Sequence, residues 1–239
     1  MNVVIPMAGL GSRFEKEGYA LPKPLIEVAG KPMIVRVIEN IGLPKDKHIF
    51  ITQKAHCDKF NVRHTLKYAV SDCNVIELNG LTEGTACTIL KAEEYITDDE
   101  LIISNSDQLV LDKDFIQRGL NYFRKNNVDG GIWCFLAQET KWSYAELNSD
   151  YNVCRVAEKD PISNLATVGI YYFKKGTSFV SAAKSMISKN IRVNNEFYTC
   201  PVFNQLIETG AKVKVYMINE MRGLGIPEDL KLFLGEKND

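Results

Sequence analysis

Two glycines, a hydroxyl and two cations stand close together near the amino terminus, as Gly9-Leu10-Gly11-Ser12-Arg13 and then Pro22-Lys23-Pro24. Such a set suits a phosphate. Without side chains at Gly9 and Gly11, the backbone N–H groups around Leu10 can face an anion at close range, and Ser12 adds a hydroxyl donor. Arg13 is a permanent planar cation that can meet two phosphate oxygens at once. The flanking prolines have fixed φ, and Pro24 disfavours the α region for Lys23 itself. A lysine held that stiffly loses little entropy on meeting an anion. The run Val3-Val4-Ile5 before the loop is short, β-branched and closed by Pro6, so it reads as a strand buried on both faces.

Two familiar glycine motifs do not fit. The dinucleotide fingerprint needs a third glycine and a helix opening at once, but Phe14 stands in that place and the proline pair follows soon after. A P-loop needs Gly-Lys-Ser/Thr after its first glycine, and none is present. What remains, Gly-Leu-Gly-Ser-Arg followed by Lys23 within Pro-Lys-Pro-Leu, resembles the signature of the sugar-phosphate nucleotidyltransferases, also called nucleotide-sugar pyrophosphorylases.

The elements that must carry these residues alternate between strand and helix. Leu25 to Val28 reads as a short strand. Pro32 then opens a helix with Met33, Val37 and Ile41 on one face, which Gly42 closes. His48 to Thr52 is a second buried strand, a helix is expected from about Ala55 to Val70, and Asn74 to Leu78 is a third strand. Leu81-Thr82-Glu83-Gly84-Thr85-Ala86 leads into a helix. Its small residues leave room for a flat base, although by itself the segment reads as a helix start capped by Thr85.

Leu101-Ile102-Ile103 is the next strand, with Asp107 just beyond its carboxyl end, where ligands gather in open α/β sheets and where a carboxylate can hold Mg²⁺. A helix from about Lys113 to Lys125 precedes strands at Gly131 to Leu136, Trp142 to Leu147 and Val153 to Ala157, the last ending in Glu158-Lys159. By chemistry alone that pair could be any exposed charge pair. Ala166 to Phe173 carries Gly169 inside a strand, a mark of close approach by backbone or ligand. Helices follow from Ser178 to Ser188 and from about Asn194 through Leu206 to Gly210, then a strand from Lys212 to Ile218 and a helix begun by Pro227.

The resemblance implies an α/β, Rossmann-like (GT-A-like) three-layer sandwich: a mostly parallel mixed sheet flanked by helices, one catalytic domain over residues 1–239 with a small inserted β element about 131–160. It implies nucleotidyl transfer from a nucleoside triphosphate to a sugar phosphate, giving a nucleotide-sugar and pyrophosphate, with Mg²⁺ as cofactor. Ala8, Gly9, Gly11, Ser12, Arg13, Lys23, Gly84 and Thr85 would bind the nucleotide. Arg13, Lys23, Asp107 and Lys159 would be catalytic, with Asp107 holding the metal. Glu158, Lys159, Gly169 and Glu196 would hold the acceptor. Members of the family usually carry a second metal-binding Asp where this chain has Gly223; Glu196 or Glu220 could stand in for it, or one carboxylate with phosphates and waters could be enough. A single Asp107, without Asp-x-Asp, argues against a glycosyltransferase. Cytidylyltransferases for phosphocholine-like acceptors resemble the same first motif, and a non-catalytic binding protein is a further alternative.

Composition is compatible with all of this. The 239 residues, 45% hydrophobic and 25% charged, suit a globular chain with a sizeable core. A formal net charge of −1 without a long basic tract excludes a nucleic-acid partner as the expectation. Six cysteines without a C-x-x-C pair read as free thiols. No apolar run reaches the roughly 18 residues of a membrane span and no signal peptide precedes the first strand, so a cytoplasmic protein is expected, with no membrane partner. Self-association is left open.

Overall fold

The computed structural model describes residues 1–235. Strand β1 (Asn2–Pro6) is buried throughout, and its alternating side chains divide the interior. Val3 and Ile5 face one core and Val4 faces the other, as a strand covered on both sides requires.

In chain order, α1 (Ser12–Lys16) follows β1, and a 3₁₀ turn covers Lys23–Leu25. Next come a small hairpin of β2 (Glu27–Val28) and β3 (Lys31–Pro32), and α2 (Met33–Ile41). The central part holds β4 (Lys47–Gln53), α3 (Lys54–Phe60), α4 (Val62–Ala69), β5 (Cys73–Leu78), α5 (Thr85–Leu90), β6 (Leu101–Ser104), β7 (Gln108–Val110) and α6 (Phe115–Lys125). The remainder is β8 (Gly130–Leu136), β9 (Ser143–Leu147), β10 (Val153–Glu158), β11 (Leu165–Phe173), α7 (Gly176–Ser188), α8 (Val202–Glu208), β12 (Val213–Met217), β13 (Met221–Gly223) and α9 (Pro227–Gly235).

Nine strands form one sheet in the order β10-β9-β11-β6-β1-β4-β5, with β8 beside β11 and β12 beside β8. Pairing is parallel for β1 with β4 and β6, β4 with β5, and β8 with β12. It is antiparallel for β11 with β6, β8 and β9, and for β9 with β10. Only β10 and β11 therefore run against the other seven, which makes a mixed sheet with mostly parallel strands. Residues of α2, α4, α6 and α9 pack in the core shared with Val3 and Ile5, and those of α5, α7 and α8 in the core shared with Val4. The result is a three-layer α/β sandwich. Segment 131–160 supplies β8 within this sheet and the β9–β10 pair at its edge.

Several local expectations change. The helix expected from Ala55 to Val70 is two helices, broken where Asn61 adopts φ 54°, because a left-handed residue interrupts the i→i−4 ladder. Lys23 is not extended but opens the 3₁₀ turn, in which Leu25 N–H donates to Pro22 C=O at 2.8 Å and Pro24, lacking an N–H, forfeits nothing. A helix does open at Ser12, but it lasts five residues. Gly84, not Thr85, precedes α5 as its cap, at φ 129°. The helix expected from Asn194 begins at Val202. The ribbon of β7 with β13, which sets Gly223 opposite Gln108, lies outside the main sheet and has no counterpart among the sequence expectations.

Candidate active site

The loops after β1, β6 and β10 open onto one cleft of three adjoining lobes. The first lies between the glycine loop and the start of α5, lined by Ala8, Gly9, Gly11 and Ser12 on one side and by Gly84, Thr85 and Glu196 on the other. The second adjoins it at Gly9 and Thr85 and reaches Lys23, Asp107, Glu158 and Lys159. The third shares Lys23, Asp107 and Glu158 and adds Arg13, Gly169, Gly223 and Asp229. Every site residue named from the sequence except Glu220 thus lines this cleft.

The two halves of the first motif touch. Gly11 sits at φ 67°, and a Cβ there would lie 3.0 Å from Lys23 Cβ. Phe14, 1% exposed and edge-on to Tyr19 at 5.2 Å, anchors the loop in the core while Arg13 stays exposed. Lys23 Nζ donates to Asp107 Oδ2 at 2.6 Å, and both side chains are about four-fifths buried. Each charge therefore has its counter-ion at the junction of the second and third lobes.

Gly169 has the close approach that a strand glycine suggests, made by protein. It sits at φ 81°, a Cβ would overlap the side-chain amides of Asn105 and Gln108, and the β11–β8 register shifts across it. Asn105 N–H donates to Gly169 C=O at 2.9 Å, so the glycine lets β11 bind the Asp107 loop closely.

At the acceptor side, Ser143 Oγ donates to Glu158 Oε2 at 2.5 Å. Burial pushes the Glu158 carboxyl above the usual carboxylate range, opposed by that hydrogen bond and by Lys159. Lys159 has φ 56°, a costly conformation for a lysine. Its Nζ donates to Tyr198 Oη at 2.7 Å and lies 4.7 Å from the ring centre.

The two candidate stand-ins for a carboxylate at 223 are elsewhere. Glu196 lines the first lobe, apart from Asp107, and Glu220 pairs with Arg222 in a separate surface hollow. Asp229, in the first turn of α9, does share the third lobe with Asp107. A Cβ on Gly223 would lie 3.5 Å from Asp229 Oδ2 and 3.1 Å from the Trp142 ring. Asp229 therefore borders the space that a side chain at 223 would use. Lys141 Nζ is 3.3 Å from both Asp229 oxygens. Gly225 also presses on the site, since a Cβ there would lie 3.0 Å from Asp107 Oδ2, and Leu224 N–H donates to Asp107 C=O at 2.7 Å.

Lys141, Trp142, Tyr198, Thr199, Gly225 and Asp229 are among the cleft residues that sequence reasoning missed. Asp229 offered one signal, an acid in the turn after Pro227; the others offered none at short range. Three polar atoms of cleft residues are buried without a partner: Gln108 Oε1, Trp142 Nε1 and Thr199 Oγ1. Buried polar atoms are seldom left so, and all three belong to residues that line the cleft.

The profile of the nucleotidyl transferase family matches residues 2–227. The chain belongs to that family. The chain is 26% identical over 246 residues to the bifunctional protein GlmU of Thermodesulfovibrio yellowstonii, covering 97% of the chain and 51% of that protein. It is 27% identical over 184 residues to GlmU of Methanocaldococcus jannaschii, covering 73% and 40%. The chain thus spans about half the length of these relatives or less. The crystal structure of a nucleoside-diphosphate-sugar pyrophosphorylase from Vibrio cholerae RC9 superposes with a TM-score of 0.83 at 25% identity, covering 98% of this chain and 99% of that one.

Proposed function

We propose that this nucleotidyl transferase moves the nucleotidyl group of a nucleoside triphosphate to a sugar phosphate. The carrying observation is the Lys23–Asp107 pair at the meeting point of the lobes. The pair lines the Glu158–Lys159 lobe, which the glycine-loop lobe adjoins at Gly9 and Thr85.

In this reading an acceptor phosphate oxygen attacks the α-phosphorus in line, the bond from that phosphorus to its bridging oxygen breaks, and pyrophosphate leaves. Positioning and charge neutralisation dominate such transfers. Lys23 would turn from Asp107 to the α-phosphate, Arg13 would hold the departing pyrophosphate, and Lys159 the acceptor phosphate. No general base is needed, because a phosphate monoester with a second pKa of about 6 is already an anionic nucleophile.

Mg²⁺ is the cofactor of this reading, and the donor set fits it. Asp107 and Asp229 present carboxylate oxygens, and Gln108 Oε1 is a buried oxygen acceptor without a partner, the hard ligands this ion takes. Asp107 would hold the ion, with Asp229 as the second carboxylate in place of one at 223. When bound, Mg²⁺ neutralises charge developing on the phosphate oxygens.

The orphaned polar atoms favour a sugar over a choline-like acceptor. Sugar hydroxyls donate and accept, and so can partner Trp142 Nε1 and Thr199 Oγ1, whereas a quaternary ammonium can partner neither. A cytoplasmic setting also belongs to this reading, supported by six free thiols, the usual state in a reducing compartment.

The test is a screen of the four ribonucleoside triphosphates and dTTP against a panel of sugar phosphates, with Mg²⁺, for pyrophosphate release. At least one pair should release it. Triphosphate binding without release from any pair would overturn transfer and leave the non-catalytic reading.

A further inference from the structure

The segment from Arg192 to Cys200 touches both sides of the cleft. Val193 and Glu196 exchange backbone hydrogen bonds at 3.0 and 2.9 Å around Asn194 and Asn195, at φ 47° and 63°. Two successive left-handed residues make the tight turn of a two-residue hairpin, a turn that asparagine tolerates. Glu196, at the end of this turn, lines the glycine-loop lobe. Two residues later, Tyr198 and Thr199 line the lobe of Glu158 and Lys159.

This strap is tied to the start of α5. Phe197 N–H donates to Glu83 C=O at 2.8 Å, and Ala86 N–H donates to Phe197 C=O at 2.9 Å. Gly84 lies between those bonds, and a Cβ there would come within 2.5 Å of Phe197 N and O. No other residue fits at 84 without moving the strap. The Gly84 that the sequence marks as room for a base also makes room for protein backbone.

Arg192 clamps the arrangement from outside. Its guanidinium pairs with Glu83, sits 3.9 Å from the centre of the buried Phe197 ring, and donates to Asn195 C=O at 3.0 Å and Asn190 Oδ1 at 2.7 Å. One side chain thus joins the turn, the ring beneath it and the loop before α5, while lining none of the three lobes. We propose that Arg192 is a positioning residue that fixes the triphosphate lobe and the acceptor lobe relative to each other through this strap. The proposal rests on the two-substrate reading given above.

A residue that touches neither substrate yet aligns both lobes has a distinctive signature. Arg192→Ala should raise KM for both substrates and lower kcat, each by about fivefold or more, using the triphosphate and sugar phosphate that release most pyrophosphate in the screen. Glu83→Gln, which removes the partner charge, should reproduce the pattern, and Arg192→Lys should recover part of the loss. By contrast, Ser12→Ala should shift the triphosphate KM alone and Tyr198→Phe the acceptor KM alone. In the free protein, Arg192→Ala should speed amide exchange at Ala86 and Phe197 together. A change in only one KM, or lower thermal stability with both KM values unchanged, would overturn the proposal, as would unaltered exchange at both amides. If no pair releases pyrophosphate, the transfer reading fails by itself and the exchange measurement still decides whether Arg192 holds the strap.

Discussion

Lys23 and Asp107 lie 84 positions apart in sequence and 2.6 Å apart in space. Without a ligand each neutralises the other, so neither largely buried charge stands alone between the lobes. Phosphates would take over Lys23 and leave Asp107 free for a cation.

Lys23→Ala should therefore lose activity while the fold persists. Removing a charge-assisted phosphate contact costs roughly 1.5–3 kcal/mol, about a tenfold to hundredfold loss. It also leaves Asp107 without its counter-ion, so thermal stability should fall slightly. Activity within threefold of the parent would remove Lys23 from the mechanism.

Asp229→Asn should raise the free Mg²⁺ needed for half-maximal activity by roughly tenfold, because a hard cation loses an anionic ligand. Asp107→Asn should abolish Mg²⁺-dependent turnover. Manganese binding followed by electron paramagnetic resonance gives a readout independent of turnover. Unaltered metal affinity in Asp229→Asn would leave Asp107 as the sole carboxylate of the site.

Gly223→Asp should weaken the protein. The new side chain would meet Trp142 and bring a second carboxylate beside Asp229, and such overpacking costs roughly 1–3 kcal/mol. Adding Asp229→Gly should restore part of the loss in thermal stability. A stable, more active Gly223→Asp single variant would show that Asp229 does not occupy that role.

Stability should fall as pH drops below about 6.5, and His48 should account for part of the fall. His48 is fully buried, its Nδ1–H donates to Asp46 C=O at 2.9 Å, and its Nε2 has no partner. Burial lowers its pKa from 6.5. Below that value the unfolded chain takes up a proton that the folded chain refuses, so the unfolded state gains; above it the group contributes no pH dependence. Melting temperatures of the parent and His48→Gln at pH 7.5 and 5.5 test this. The variant should lose less on acidification, and equal losses would clear His48.

What the sequence revealed of the site was what lies close along the chain. Val3 to Ile5, the glycine pair and Arg13 are contiguous, and Asp107 stands directly after a strand, where the geometry of open sheets puts ligands. Glu158 and Lys159 end β10, so their place in the cleft follows from a strand-end argument of the same kind. Asp229, Lys141 and the β7–β13 ribbon were hidden because strands of three residues give almost no periodic signal. Their partners are also about a hundred positions away. Asn61 misled for a local reason: helical pattern runs through it, yet asparagine readily takes the left-handed conformation that splits α3 from α4.

The β7–β13 ribbon also bears on when the site comes into being. It brings Gly223 opposite Gln108, the Leu224 N–H then holds the Asp107 carbonyl, and Lys231 ties α9 to Glu17 across 214 positions. Asp107 therefore acquires part of its surroundings, the Leu224 and Gly225 contacts, only from residues beyond 220. During synthesis the glycine loop emerges well before those residues, so nascent or proteolytically shortened chains that lack them would carry the motif without a finished pocket.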